Sequence, residues 1–204
     1  MDTTTAWLFM TRWGNSLLLL PAASWICVSL WAGGDRRIAW RWALLFGGAV
    51  AVVLATKLAF LGWGVGIRSL DFTGVSGHST LAASVLPMLA WWLTQDQAPA
   101  TQRRAVGAGW GLAMMVGLSR VLLSTHSVSE VVAGLLLGSL VAWAVIPRGV
   151  VAANRTAFRW ALLGALLIAG ILTSVGESDG AHGFVMQLAL QWSGRSEPFT
   201  RSML

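Results

Sequence analysis

Two histidines, a lysine, an arginine and a carboxylate stand in apolar surroundings, where each charge is costly and marks a candidate functional site. The densest stretch is Ser119–Glu130, Ser-Arg-Val-Leu-Leu-Ser-Thr-His-Ser-Val-Ser-Glu, which sets Arg120, His126 and Glu130 inside the apolar run 105–146. That run is about twice the ~20 residues that one membrane crossing needs, so it must fold back, and Ser124 and Thr125 are the natural turn. On one unbroken helix, steps of about 100° per residue would send Arg120 and His126 to different faces, whereas a hairpin brings them to one membrane surface. His126 and Glu130 are spaced to share a face of the second helix. Ser124 or Thr125 would cap that helix, whose free N–H groups and dipole favour an anion. An arginine, a histidine backed by an acid and a helix N-terminus together point to phosphate chemistry.

A second cluster, Val75-Ser76-Gly77-His78-Ser79-Thr80, opens another apolar stretch. A glycine beside a histidine lets backbone N–H groups approach an oxyanion, and the helix starting there aims a second positive dipole end the same way. Lys57 lies near the end of the preceding apolar span.

The elements that must carry these groups are membrane helices. The chain is 56% hydrophobic and 11% charged with 13 Trp, and its mean hydropathy is +0.69. This describes an all-α polytopic membrane protein and excludes a soluble domain. The single Cys27 allows no intrachain disulfide. The net charge of +6 fits positive cytoplasmic loops, and no aromatic-rich basic patch argues for nucleic acid as a partner.

The hydropathy pattern predicts a six-helix transmembrane bundle in one domain, 1–204. Residues 1–14 are expected in the interface, followed by spans near 15–32, 39–63 and 79–93, the hairpin within 105–146, and a last span at 160–175. One arginine and no clear small-x-small site argue against a cleavable signal peptide. Arg36, Arg37, Arg41, Arg103, Arg104, Arg148, Arg155 and Arg159 fall in loops on one side, which the positive-inside rule makes cytoplasmic. Trp31, Trp40, Trp42, Trp91, Trp92, Trp143 and Trp160 lie near that side as an aromatic belt would. Both termini, the hairpin tip and the Ser-Gly-His cluster then face outward, which in a bacterial inner membrane is the periplasm.

Ser76-Gly77-His78 and Ser119-Arg120-x5-His126-x3-Glu130 resemble the second and third signature motifs of the type 2 phosphatidic acid phosphatase superfamily, membrane lipid phosphatases related to vanadium haloperoxidases. The resemblance covers a catalytic core of about 57–146, and the tail 176–204 adds nothing to it. The chain departs from the family pattern in three ways: Val75 stands where Pro is usual, Glu130 stands where Asp is usual, and the first motif is incomplete. The first motif, Lys-x6-Arg-Pro, is met only by Lys57 and, after ten residues and without a Pro, Arg68. On a continuous helix these two would lie about 16 Å apart, too far for one phosphate, unless the glycine-rich run 62–66 doubles the chain back.

The resemblance implies hydrolysis of a phosphomonoester or diphosphate in two steps, with no metal or other cofactor. His126 would attack phosphorus, Glu130 would hold its other ring nitrogen, and His78 would protonate the leaving oxygen and then activate water. Lys57, Arg120, Arg68 and the N–H groups near Ser76 and Gly77 would bind the phosphate oxygens. A site near the outer surface suits a lipid substrate whose tail stays in the bilayer. Undecaprenyl diphosphate is the first expectation, with phosphatidylglycerol phosphate, phosphatidate and lipid A phosphates open.

Other readings compete. His78, His126 and Glu130 could bind zinc in a metal-dependent intramembrane hydrolase, against which Lys57 and Arg120 stand as repelling cations. The chain could instead be a non-enzymatic small transporter or assembly factor with a polar relay. Singly, Glu130 could only neutralise Arg120, Lys57 could snorkel, Arg68 and Asp71 could form a loop ion pair, and His182 could be a solvated tail residue.

Overall fold

The computed structural model describes residues 3–147 and 180–204. The span expected at 160–175, nearly all of the basic loop 147–159 with Arg148, Arg155 and Arg159, and the start of the tail with Glu177 and Asp179 lie outside them, as does the side chain of His182. The described helices are α1 (Thr3–Arg12), α2 (Ser16–Ala32), α3 (Arg36–Trp63), α4 (Gly77–Leu93), α5 (Pro99–Leu122), α6 (Val128–Val145) and α7 (Gly180–Ser193). Short 3-10 turns occupy Arg68–Leu70 and Arg201–Met203, and one isolated bridge pairs Ile67 with Phe72. Four stretches, Thr4–Ala32, Arg36–Trp63, Pro99–Leu122 and Val128–Val145, are long and apolar enough to cross a membrane. The chain is a multi-pass membrane protein.

The bundle is built around α4, which is in contact with α2, α3, α5 and α6. It has 17 residues, fewer than its neighbours α3 and α5, and its first turn carries His78. Ser76 ends the extended chain and caps the helix, accepting from the Ser79 N–H at 3.5 Å and the Ser79 hydroxyl at 3.0 Å. Small residues let the other helices approach α4 to backbone contact, as in membrane helix packing generally. A Cβ on Gly109 of α5 would sit 2.8 Å from Pro87 Cα, and one on Gly138 of α6 would press on the Thr80 carbonyl and come within 2.9 Å of the Ala83 Cβ. These contacts lock α5 and α6 along α4 and so fix His78 relative to Arg120 and His126.

The two ends of the bundle differ. At one end Trp42, Trp91 and Trp92 are fully buried, Trp42 Nε1 donates to the Ala23 carbonyl at 3.0 Å, and Arg41 Nη2 donates to the Ala144 carbonyl at 2.9 Å. Arg36 lies over the Trp31 ring, whose edge meets Trp40. Arg36, Arg37, Arg103 and Arg104 sit at the helix ends here, as the loop charges predict. The candidate site occupies the opposite end.

At that opposite end α1 is not an isolated interfacial segment. It packs on α5, and Arg120 Nη1 donates to the Thr11 hydroxyl at 2.8 Å. α7 lies on the last turns of α3, burying Leu58, Val185 and Ala189 together. The chain beyond α7 then returns to the end of α3. The Phe199 N–H donates to the Leu61 carbonyl at 2.9 Å, and its ring stacks under the Arg195 guanidinium at 4.1 Å. That ring also covers Gly64, whose φ of +70° ends α3.

Candidate active site

The hairpin turn is organised by the end of α5. Arg120's carbonyl oxygen accepts from the Thr125 N–H at 3.1 Å, the Thr125 hydroxyl at 2.9 Å and the His126 N–H at 3.3 Å, while Ser124 adopts a φ of +53°. The turn lies where the sequence puts it, but its cap does not. Ser127, not Ser124 or Thr125, is the N-cap of α6, and it forms a reciprocal capping box with Glu130. His126 therefore precedes α6 rather than riding on it.

The contact expected from the i,i+4 spacing is made nonetheless. His126 Nδ1 lies 2.7 Å from Glu130 Oε2. With Nδ1 engaged, Nε2 is the ring nitrogen left to react. Glu130 is fully buried, and both of its oxygens accept hydrogen bonds. Oε2 also accepts from the Ser127 N–H at 3.1 Å; Oε1 accepts from the Thr73 N–H at 2.7 Å and the Thr73 hydroxyl at 2.5 Å; Arg201 Nη2 lies 2.9 Å from both.

The Ser-Gly-His segment is hung between α3 and α6. The Val75 N–H donates to the Thr56 hydroxyl at 3.1 Å, and the Ser76 N–H donates to the Glu130 carbonyl at 3.1 Å. The first bond explains the departure at position 75, since a proline there would have no N–H to give. The second corrects an expectation: the Ser76 N–H is committed to the fold and does not point at a ligand. Gly77 and His78 supply the first N–H groups of α4, which no helical carbonyl can satisfy. Overhead, the α1–α2 junction closes on the histidine, because a Cβ on Gly14 would stand 3.2 Å from the Cβ and Cδ2 of His78.

Lys57, His78, Arg120, His126 and Glu130 lie close enough to act on one another electrostatically. Lys57, Arg120 and the two histidines thus form one cluster, which Glu130 joins through its contact with His126. Burial draws the His126 imidazole below its ordinary range; Glu130 opposes this through its hydrogen bond, and Lys57 and Arg120 reinforce it.

Arg68 is not brought in. The glycine-rich loop does double back, with Ile67 and Phe72 exchanging N–H to carbonyl bonds of 2.9 and 3.1 Å. Its tip, however, carries Arg68 as an exposed residue whose side chain makes no hydrogen bond or ion pair with the cluster among the described residues. The loop ion pair of Arg68 with Asp71 does not form either, since Asp71 pairs with Arg201 at 2.5 Å. The zinc reading also loses its ligands: among the described residues no group of three His, Cys, Asp or Glu side chains is placed to hold a metal ion.

Three residues of the site escaped the sequence reading. Ser127 was findable, being the first position of a Ser-x-x-Glu box. Thr73 carries no signal, and Arg201 has none beyond being an arginine near the end of the chain.

The chain is 38% identical over 202 residues to the "Uncharacterized 22.5 kDa protein in cps region" of Klebsiella pneumoniae, an alignment covering 97% of each chain. No solved structure shows a significant match. The pattern of the PAP2 superfamily, whose members are phosphatases, matches residues 62–152, which hold the loop, all of α4 and the hairpin. The chain belongs to the PAP2 superfamily of type 2 phosphatidic acid phosphatases.

Proposed function

We propose that the protein hydrolyses the phosphate or diphosphate group of a membrane lipid through a phosphohistidine on His126. The observation that carries this reading is the 2.7 Å contact of His126 Nδ1 with buried Glu130 beside Lys57, Arg120 and His78. A histidine held by an acid through one nitrogen keeps the other as a nucleophile, and cations stabilise charge on phosphoryl oxygens.

In the first step the Nε2 lone pair of His126 forms a bond to phosphorus. The bond from phosphorus to the leaving oxygen breaks, and His78 gives that oxygen a proton. Glu130 stabilises the positive charge left on the phosphorylated imidazole. In the second step His78 takes a proton from water as it attacks phosphorus, the N–P bond breaks, and phosphate leaves. Lys57 and Arg120 hold the equatorial oxygens, together with the first N–H groups of α4 at Gly77 and His78.

The substrate we favour is undecaprenyl diphosphate in a bacterial inner membrane, with the site at the periplasmic side. Arginines at the far end of the bundle support that orientation through the positive-inside rule. The position of the cluster at a bundle end supports a substrate whose headgroup enters while its tail stays in lipid.

The test is phosphate release by purified protein from undecaprenyl diphosphate, phosphatidylglycerol phosphate, phosphatidate and lipid A. Release by wild type that survives exhaustive chelation, with loss in His126→Ala and His78→Ala, is the expected result. No release from any of these lipids would favour a transporter or assembly factor, and zinc-restored activity would favour a metallohydrolase.

A further inference from the structure

Arg201 ties together three segments that are distant in sequence. Its Nη2 lies 2.9 Å from each oxygen of Glu130, and its Nη1 lies 2.5 Å from Asp71 Oδ2 and 3.0 Å from the Asp71 carbonyl. Asp71 has a φ of 47°, which turns its carbonyl and its side chain toward the same guanidinium. Several contacts keep the arginine in place. Phe199 is bonded to Leu61 and lies beneath Arg195, Leu204 packs where a Cβ on Gly66 would come within 2.7 Å of it, and a 3-10 turn spans Arg201–Met203. The guanidinium's planar fork meets both acids at once, one nitrogen on Asp71 and the other on Glu130.

We propose that Arg201 is a positioning residue for the His126–Glu130 pair: the C-terminal segment carries it in to hold the carboxylate in register with the imidazole and to take up part of its charge. The consequence for phosphoryl transfer rests on the phosphatase reading above. The charged and titratable groups facing His126 are Glu130 from α6, Lys57 from α3, His78 from α4 and Arg120 from α5, with Arg201 and Asp71 behind the carboxylate. Glu130 is the one acid in contact with the ring. Removing Arg201 therefore leaves its full negative charge on His126, which then binds a proton more tightly. Neutralising Asp71 acts in the opposite sense, because Arg201 then turns all its charge to Glu130.

The experiment is an NMR titration of the histidine rings in the full-length protein in detergent, with His126 assigned by His126→Asn. Arg201→Gln is expected to raise the His126 midpoint by about one pH unit, Arg201→Lys to keep it near wild type, and Asp71→Asn to lower it. In phosphate release, Arg201→Gln should lower kcat by about ten- to hundredfold with little change in KM, and move the acid limb of the profile up with the NMR midpoint. Equal His126 midpoints in wild type, Arg201→Gln and Asp71→Asn would overturn the proposal, as would a raised KM at constant kcat. Asp71→Asn keeps Arg201 in place, so it tests the idea even if Arg201→Gln does not fold. Wild type that releases no phosphate would defeat the phosphatase reading while the titration still judges Arg201.

Discussion

Replacing Glu130 by glutamine keeps its shape and removes its charge, and the surroundings make the outcome calculable. Oε2 faces the Ser127 N–H and Oε1 faces the Thr73 N–H, so whichever position the new amide nitrogen takes, it confronts a backbone donor. One buried N–H is left without an acceptor, at about 1–3 kcal/mol. Arg201 also loses its buried partner, but its side chain is 38% exposed and water replaces much of the contact, so about 1 kcal/mol is a fair addition. A loss of about 2–4 kcal/mol follows, read as a thermal midpoint several degrees lower in detergent. The chemical effect is larger. With an amide nitrogen toward Nδ1, the ring keeps its proton on Nε2 and the attacking lone pair is gone. The expected fall in kcat is about 10³- to 10⁴-fold, the scale on which a wrong histidine tautomer acts. Single-turnover phosphate release and trapping of an acid-labile phosphoenzyme would measure it. A variant that melts early but turns over within tenfold of wild type would refute the reasoning and leave Glu130 a structural residue.

The pH profile should carry the depressed His126. The nucleophile must be unprotonated, and burial, reinforced by Lys57 and Arg120, favours that form. Activity should therefore persist as pH falls through about 6.5 and decline only below it. Stability follows the same sign, since the unfolded chain takes up this proton at a higher pH than the folded one and folding weakens below about pH 6.5. An acid limb at or above that value would contradict the geometry. Gly138→Ala, pressed on the Thr80 carbonyl, should cost about 1–3 kcal/mol by overpacking α4 against α6, and its melting midpoint should drop. Gly107→Ala meets nothing within 4 Å and should lose no stability, gaining up to about 1 kcal/mol by stiffening α5. Arg68→Ala should leave kcat/KM within about twofold, as expected of an exposed residue outside the cluster.

Much of this was legible because charge in an apolar run has few bland explanations. The span lengths gave the helices, and the fold-back at Ser124 follows from a run too long for one crossing. The i,i+4 spacing of His126 and Glu130 gave the pair itself. The register of α4 was open, since its start is set by a cap within the site rather than by hydropathy. Arg68 was misplaced because spacing along the chain says nothing about which way the tip of a doubled-back loop turns. Arg201 was invisible for a different reason: its partners, Asp71 and Glu130, are 130 and 71 residues away. No local periodicity encodes a contact closed by the returning tail.

The burial of α4 has a mechanical consequence. Because this helix touches mainly other helices, the depth of His78 is set by glycine contacts at Gly109 and Gly138 and by the bond from Ser76 to Glu130, not by the lipid around it. A thicker or thinner bilayer can tilt the outer helices to match its hydrocarbon width. The reacting groups ride on a spine that such tilting does not stretch, so they keep their spacing while the membrane about them changes.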